Sequence, residues 1–437
     1  MRKIKAGHLC AVIKGILFIG FSIQIVLGVI WMCFNFTAFQ EFGLPESALY
    51  SAVFALTGRH PWVMYLGQLI LAYFSCDFIL RILRPAGKAM RVWSTLALLT
   101  FPMAMQCHLA VLPWSFAGSL FLLEWSFAVK ILKKEGEHRE RAFGGMAVCW
   151  ILLAFLLPEY RLLGGLPVLF TLLFCLKKLR QEPKKVCLLL LAAVLAGGLA
   201  AGGGTVLKKV SGIEDRSISF ALASRMAWPS LWADHYGWPE EMQEALGEKI
   251  WETSFCPDNM DRILKPMMEE AFGTEQADVY YRIIAENAWV HRTSVILTQM
   301  RWDVLGYGAT PIVLRTQLEG GNYDSYSGRN YEIMRNHTPV LTKYYVAYSC
   351  WWFSVCIVLA FLLTVLYCMR KKCFIWKDIF GGLLVCALSA GILVILYTMR
   401  GAGMMDYKMS FAVSSIWPVW ALTVMREEET SEEKQSF

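Results

Sequence analysis

The sequence predicts an all-α integral membrane protein of about ten transmembrane helices, with a mainly helical extracytoplasmic domain between the seventh and eighth. Three observations predict it. The 437 residues are 56% hydrophobic and only 18% charged, a balance too apolar for a soluble globular chain of this length. Ten apolar runs approach the length at which a helix rising about 1.5 Å per residue crosses the hydrocarbon. Lysines and arginines gather in alternate connecting segments, as retention of basic loops on the cytoplasmic side requires.

In chain order the runs are 10–33, 62–80, 92–107, 110–129, 144–158, 162–176, 186–206, 344–368, 376–399 and 408–425. The basic N-terminus leads into a full-length span with no small-residue cleavage site behind it, so the first helix reads as a retained anchor. With that end in the cytoplasm, 24 basic residues fall on the inner side, and four, Arg59, Arg161, Arg400 and Lys408, fall in short outer loops. The C-terminus is then also inside, and the expected location is the cytoplasmic membrane.

The expected organisation is an N-terminal module over 1–206, an outer domain over 207–343, three helices over 344–425 and an acidic tail over 426–437. The outer domain holds 14 basic and 19 acidic residues, net −5, so the overall +7 arises from a membrane part at +12. That charge serves topology and contact with anionic membrane lipids and is not a nucleic-acid signature. Of 13 cysteines only Cys256 lies in the outer domain, which therefore cannot close an internal disulfide. No CxxC or zinc-ligand spacing marks a metal site, and a divalent-metal requirement stays open.

The first outer loop, 34–61, carries Glu41 and Glu46 and then SALYSAVFAL after Pro45, which reads as a short helix on the outer surface. In the outer domain, Pro239 opens a helix to about Trp251, Pro257 and Asp258 open one to Phe272, and a longer helix runs from Glu275 to about Val304. Val279, Ile283, Val290, Leu297 and Val304 recur along one face of the last, which is expected to be its covered face. Residues 306–337, rich in Gly, Tyr and Asn, read as loop.

The outward-facing acids of the membrane part are Glu41, Glu46, Glu159 and Asp406, all on one side. Carboxylates converging at one interface suit general acid–base chemistry on a substrate at the membrane surface, although polar residues also simply mark helix ends. The segment RGAGMMDYKM gathers Arg400, Asp406, Tyr407 and Lys408. Two cations beside exposed backbone amides could hold a lipid phosphate, or the segment is an interfacial turn with Tyr407 in the aromatic belt. PEYR supplies Glu159 and Arg161, and His108 stands at the turn between the third and fourth spans. Asp77 and Glu124 read as lying inside or near the inner ends of the second and fourth spans, either paired with Arg81 or Lys130 or serving as a proton relay, with the pair preferred. The tryptophans of the outer domain, among them Trp228, Trp289 and Trp302, suit either sugar-ring stacking or core and interface anchoring.

This layout, a basic N-terminus, one helix, an acid-bearing outer loop with a surface helix, many further helices and a late outer domain, resembles the GT-C superfamily. Its members are polyprenyl-phosphate-sugar-dependent membrane glycosyltransferases, such as the protein mannosyltransferases and aminoarabinose transferases. The segments GLPESALYSAV and RGAGMMDYK look like those of bacterial relatives with this layout. The resemblance implies a first-loop carboxylate, Glu46 or Glu41, as base for an inverting transfer to a glycan or protein acceptor. It also implies a lipid-linked sugar donor among the outer helix ends, with Arg161, Glu159, His108, Arg400, Asp406, Tyr407 and Lys408 as binding candidates. Both first-loop acids are Glu where the superfamily usually has Asp, and the usual paired acidic motif is absent.

Two other classes compete. A transporter or flippase predicts ionisable residues near the midplane, broken helices and related halves; no halves match, and Gly197–Gly204 is the one run that could unwind a helix, or equally pack closely. A non-catalytic envelope assembly protein would use the outer domain to bind a partner.

Overall fold

The computed structural model describes residues 2–35, 48–83, 87–101, 113–133, 139–157, 163–176, 190–200, 239–246, 265–291, 341–370 and 416–425, with a few single positions between them. Among these residues the protein is all-α and contains no strand. The helices are α1 (Arg2–Asn35), α2 (Ala48–Leu56), α3 (Pro61–Leu83), α4 (Lys88–Leu99), α5 (Trp114–Lys133), α6 (Arg139–Leu156) and α7 (Gly165–Leu176). They continue as α8 (Leu190–Ala200), α9 (Glu240–Leu246), α10 (Lys265–His291), α11 (Thr342–Arg370) and α12 (Ile416–Met425). Two of them, over Gly7–Phe34 and Pro61–Leu83, are long and apolar enough to cross a membrane by length and composition. The expected ninth span, 376–399, lies outside the described residues.

The chain divides into two compact units, one of Met1–Ile213, Val340–Leu388 and Phe411–Phe437, the other of Glu214–Pro339 and Ser389–Ser410. In the first unit, α1 and α11 run antiparallel. Lys14 lies 5.9 Å from the Tyr367 ring centroid, Phe21 meets Trp352 edge-on at 5.3 Å, and Trp31 stacks on Tyr345 at 5.3 Å. The close approach depends on Gly20, where a Cβ would fall 2.1 Å from the Trp352 ring. Tyr348 adds a hydrogen bond from its hydroxyl to the Gly20 carbonyl at 2.7 Å. Cys10, Ile13, Leu17 and Phe21 of α1 join Ala360 and Leu363 of α11, Ala97 of α4 and Leu422 of α12 in one buried cluster.

Helices α3 and α5 run parallel, with Phe116 near Gly67 at one level and Phe78 against Phe127 at 5.1 Å at another. A second buried cluster joins Ala128 and Ile131 of α5, Met146 of α6 and Val168 and Leu172 of α7. Gly197 lies against Trp150, where a Cβ would come to 3.0 Å, so within this glycine run the close-packing reading holds at Gly197.

Prolines fix two starts. Pro61 occupies the first turn of α3, where its missing N–H costs nothing. Pro113 accepts the Ala117 N–H at 2.9 Å and opens α5. The fourth apolar run therefore becomes a helix displaced about one turn toward the C-terminus from the expected 110–129.

Short α2 coincides with the SALYSAVFAL stretch and ends in a Schellman turn. The Arg59 N–H bonds Phe54 O and the Gly58 N–H bonds Ala55 O, each at 3.0 Å, with Gly58 at φ 67 in the left-handed region that a Cβ disfavours.

In the second unit, α10 breaks at Gly273, φ 74, at the boundary expected between the helix ending at Phe272 and the one beginning at Glu275. Of the expected covered face, Ile283 packs against the buried cluster, and the rest of the described stripe does not. Val279, Val290 and Leu297 are 43%, 70% and 52% exposed, and Ala277, Tyr280, Tyr281 and Ile284 are buried with Met242 and Met268. The aliphatic count omitted Tyr280 and Tyr281, whose rings are buried in this cluster. Tyr280 donates to the Glu241 carboxylate and packs its ring against Phe272 at 4.8 Å.

Candidate functional site

The sequence candidates fall unevenly on the structure. Glu41, Glu46, Glu159, Arg161, Arg400, Asp406, Tyr407 and Lys408 lie outside the described residues, and His108 lies within them. His108 is fully buried, with Nδ1 2.6 Å from Ser115 Oγ in the first turn of α5. Of the six outer-domain tryptophans, Trp289 is described and is 45% exposed.

Several buried polar groups meet at the Pro61 end of α3. Gln68 donates through Nε2 to the Tyr50 hydroxyl at 3.2 Å, tying α2 to α3, and the Tyr50 ring meets Phe116 of α5 edge-on at 5.8 Å. Tyr50, Tyr65 and Gln68 are all 0% exposed. At the end of α4, Gln24 of α1 donates to Ala97 O at 2.8 Å, and Tyr345 of α11 donates to Thr100 O. Side chains from α1, α2, α3 and α11 thus satisfy backbone and hydroxyl groups around the helix ends, as burial of such groups requires. The first inter-helix loop, which carries Glu41 and Glu46, is bounded downstream by this anchored α2, with Glu46 two residues before Ala48 in the chain.

Toward the other end of α3, Asp77 is 3% exposed and lies between two arginines. Arg81 Nη2 approaches one oxygen at 2.5 Å and Arg91 Nε of α4 the other at 3.0 Å. The expected pair with Arg81 forms, and Arg91 joins it. A partner ten residues beyond Arg81 could be read only by closing α3 and α4 into a hairpin.

Glu124 departs from its expected pairing. Lys130 sits 5.6 Å from the Phe78 ring centroid, and among the described residues neither carboxyl oxygen of Glu124 has a hydrogen-bond partner. With α5 beginning at Trp114, Glu124 is the eleventh of its 20 residues, inside the span. Pro113 was the signal in the sequence, since a helix interior excludes proline.

Among the described residues no three His, Cys, Asp or Glu side chains converge as a metal site. No family model, curated protein or solved structure matches the chain.

Proposed function

We propose that the protein is a multi-pass glycosyltransferase of GT-C type in the cytoplasmic membrane, with about ten spans and both termini inside. It transfers a sugar from a polyprenyl-phosphate carrier to a glycan or protein acceptor on the extracytoplasmic face. Glu46 or Glu41 deprotonates the acceptor hydroxyl, which attacks the anomeric carbon, and the C–O bond to polyprenyl phosphate breaks with inversion. The departing phosphate takes that electron pair, and Arg400, Lys408 and Arg161 offset the charge growing on it. Glu159, Asp406 and Tyr407 complete the proposed binding region, and His108, buried beside Ser115, is left out of it.

The observation that supports this reading most is the docking of α2, through Tyr50, onto Gln68 of α3 and Phe116 of α5. A base delivered by a loop needs a fixed anchor, because misplacement by about 1 Å costs on the order of a hundredfold in rate. The membrane part of the reading has its own support. α1 exposes Val12, Ile16, Ile19, Val26 and Phe34, and α11 exposes Trp351, Val358 and Phe361, an apolar surface that lipid covers and water does not favour.

The test is transfer of radiolabelled sugar from a polyprenyl-phosphate donor pool by purified protein, beside Glu41→Gln, Glu46→Gln and Arg400→Ala variants. The expected outcome is transfer by wild type, at least about a hundredfold loss in one folded Glu variant, and a smaller loss in Arg400→Ala. No transfer from any donor, with every variant folded, contradicts the reading and favours a transporter or an assembly protein.

A further inference from the structure

At about 1.5 Å per residue, Glu124 lies roughly 15 Å of helix from either end of α5. It is 0% exposed, and both carboxyl oxygens lack a hydrogen-bond partner among the described residues. Buried carboxyl groups are ordinarily paired or hydrogen-bonded, so this arrangement needs a cause.

The surrounding elements supply no countercharge among the described residues. Among the described side chains of α6, the buried Cys149 thiol is close enough for its charge to feel the carboxyl, and Arg141 is exposed. On α3, Tyr65 interacts with Tyr50 at the far end, Cys76 belongs to the cluster with α1 and α11, and Asp77 is held by Arg81 and Arg91. Helix α7 contains no acidic or basic residue, and Lys130 of α5 itself is placed over Phe78. Along the same face of α5, Ala128 and Ile131 continue into apolar packing with Met146. An ionised carboxylate is strongly disfavoured there, and such a group takes up a proton instead.

We propose that Glu124 is an exchangeable proton-binding site in the middle of the helix bundle, held between α5 and α6, with the proton as its ligand. A purely structural acid would be expected to use its carboxyl to tie helices together, as Asp77 does. Glu124 ties none by hydrogen bond among the described residues, and an ionisable residue within a span that ties no helix marks a proton site. The site gives the bundle a proton-dependent step, and it stands whether or not the chain transfers sugar.

Dicyclohexylcarbodiimide is the probe, because it partitions into apolar protein and reacts with the protonated acid. The carboxyl proton moves to a carbodiimide nitrogen while the carboxylate oxygen bonds its carbon. The O-acylisourea then rearranges to a stable N-acylurea, seen as a mass increase on the peptide carrying Glu124. In the full-length protein in lipid vesicles, labelling of that peptide is expected at mildly acid pH. It should fall about tenfold per pH unit once the group titrates. In parallel, the infrared carboxylic-acid stretch lost in Glu124→Gln should disappear reversibly over the same pH range in wild type.

A carbodiimide adduct and an infrared band that persist unchanged at every pH would show a locked neutral acid and overturn the proposal. So would the lack of any adduct in the folded protein when the unfolded chain labels. Both readouts on wild type stand even if the Gln variant fails to fold.

Discussion

Two acids on neighbouring helices show how one residue type takes opposite roles. Asp77 has a countercharge one turn along its own helix and another on the next, so it joins α3 to α4. Replacing it in Asp77→Asn leaves Arg91, 31% exposed, without its carboxylate. Thermal unfolding in detergent should show a loss on the order of 1 kcal/mol, most of it from the Arg91 ion pair, because Arg81 is half exposed and its share is screened. An unchanged unfolding temperature would mean that water replaces the carboxylate at no cost. The Arg81 partnership was legible at i+4 spacing, and the Arg91 partnership was not, since it depends on the turn that brings α4 back. The Lys130 pairing preferred for Glu124 does not form among the described residues, because Lys130, six residues on, is placed over Phe78. The candidate acids Glu41, Glu46, Glu159 and Asp406 lie outside the described residues, so their proposed roles rest on sequence order and resemblance.

At the scale of the helices, small residues decide how near two axes come, and a hydropathy reading passes over them. Gly20 lies under the Trp352 ring, so Gly20→Ala must displace an indole from a packed seam. Overpacking of this kind costs about 1–3 kcal/mol, and loss of thermal stability with retained helical circular dichroism is the expected result. In the second unit, Glu241 accepts the Tyr280 hydrogen bond and holds the phenol above its ordinary pKa, with burial acting in the same direction. Burial first, then Glu269 and Asp278, push Tyr281 up as well. A pKa higher in the folded state means that each phenol contributes its full stability below the unfolded value of about 10. That contribution is lost as pH rises through the raised values. Tyr280→Phe should therefore flatten part of the alkaline unfolding transition, leaving the part due to Tyr281; an identical alkaline profile would contradict the pairing. The break at Gly273 was legible because glycine interrupts the pattern. The buried face was not, because tyrosines were left out of the apolar count.

Across the whole molecule, the sequence already separated a greasy basic part from an acidic, less apolar segment. The contact pattern divides the chain into Met1–Ile213 with two later pieces and Glu214–Pro339 with Ser389–Ser410. The antiparallel course of α1 and α11 brings Lys14 to the Tyr367 end, where the charge rule also puts both chain segments on one side. Two helices pass the length and composition test for crossing a membrane; several other apolar helices are described over shorter lengths, so the count of about ten rests on the full apolar runs. All further proposals except the proton site require segment 207–343 and the first loop to share the outer face.

The most direct measurement uses Cys256, the one cysteine of segment 207–343, and a membrane-impermeant maleimide on intact cells. Read peptide by peptide, the account predicts labelling of the peptide carrying Cys256 in wild type and its absence in Cys256→Ala, and labelling of the peptide carrying the added cysteine in Lys88→Cys only after the membrane is permeabilised. If Cys256 stayed unlabelled in intact cells but reacted on permeabilisation, while Lys88→Cys labelled from outside, the proposed orientation would be reversed and the extracytoplasmic transfer reaction with it.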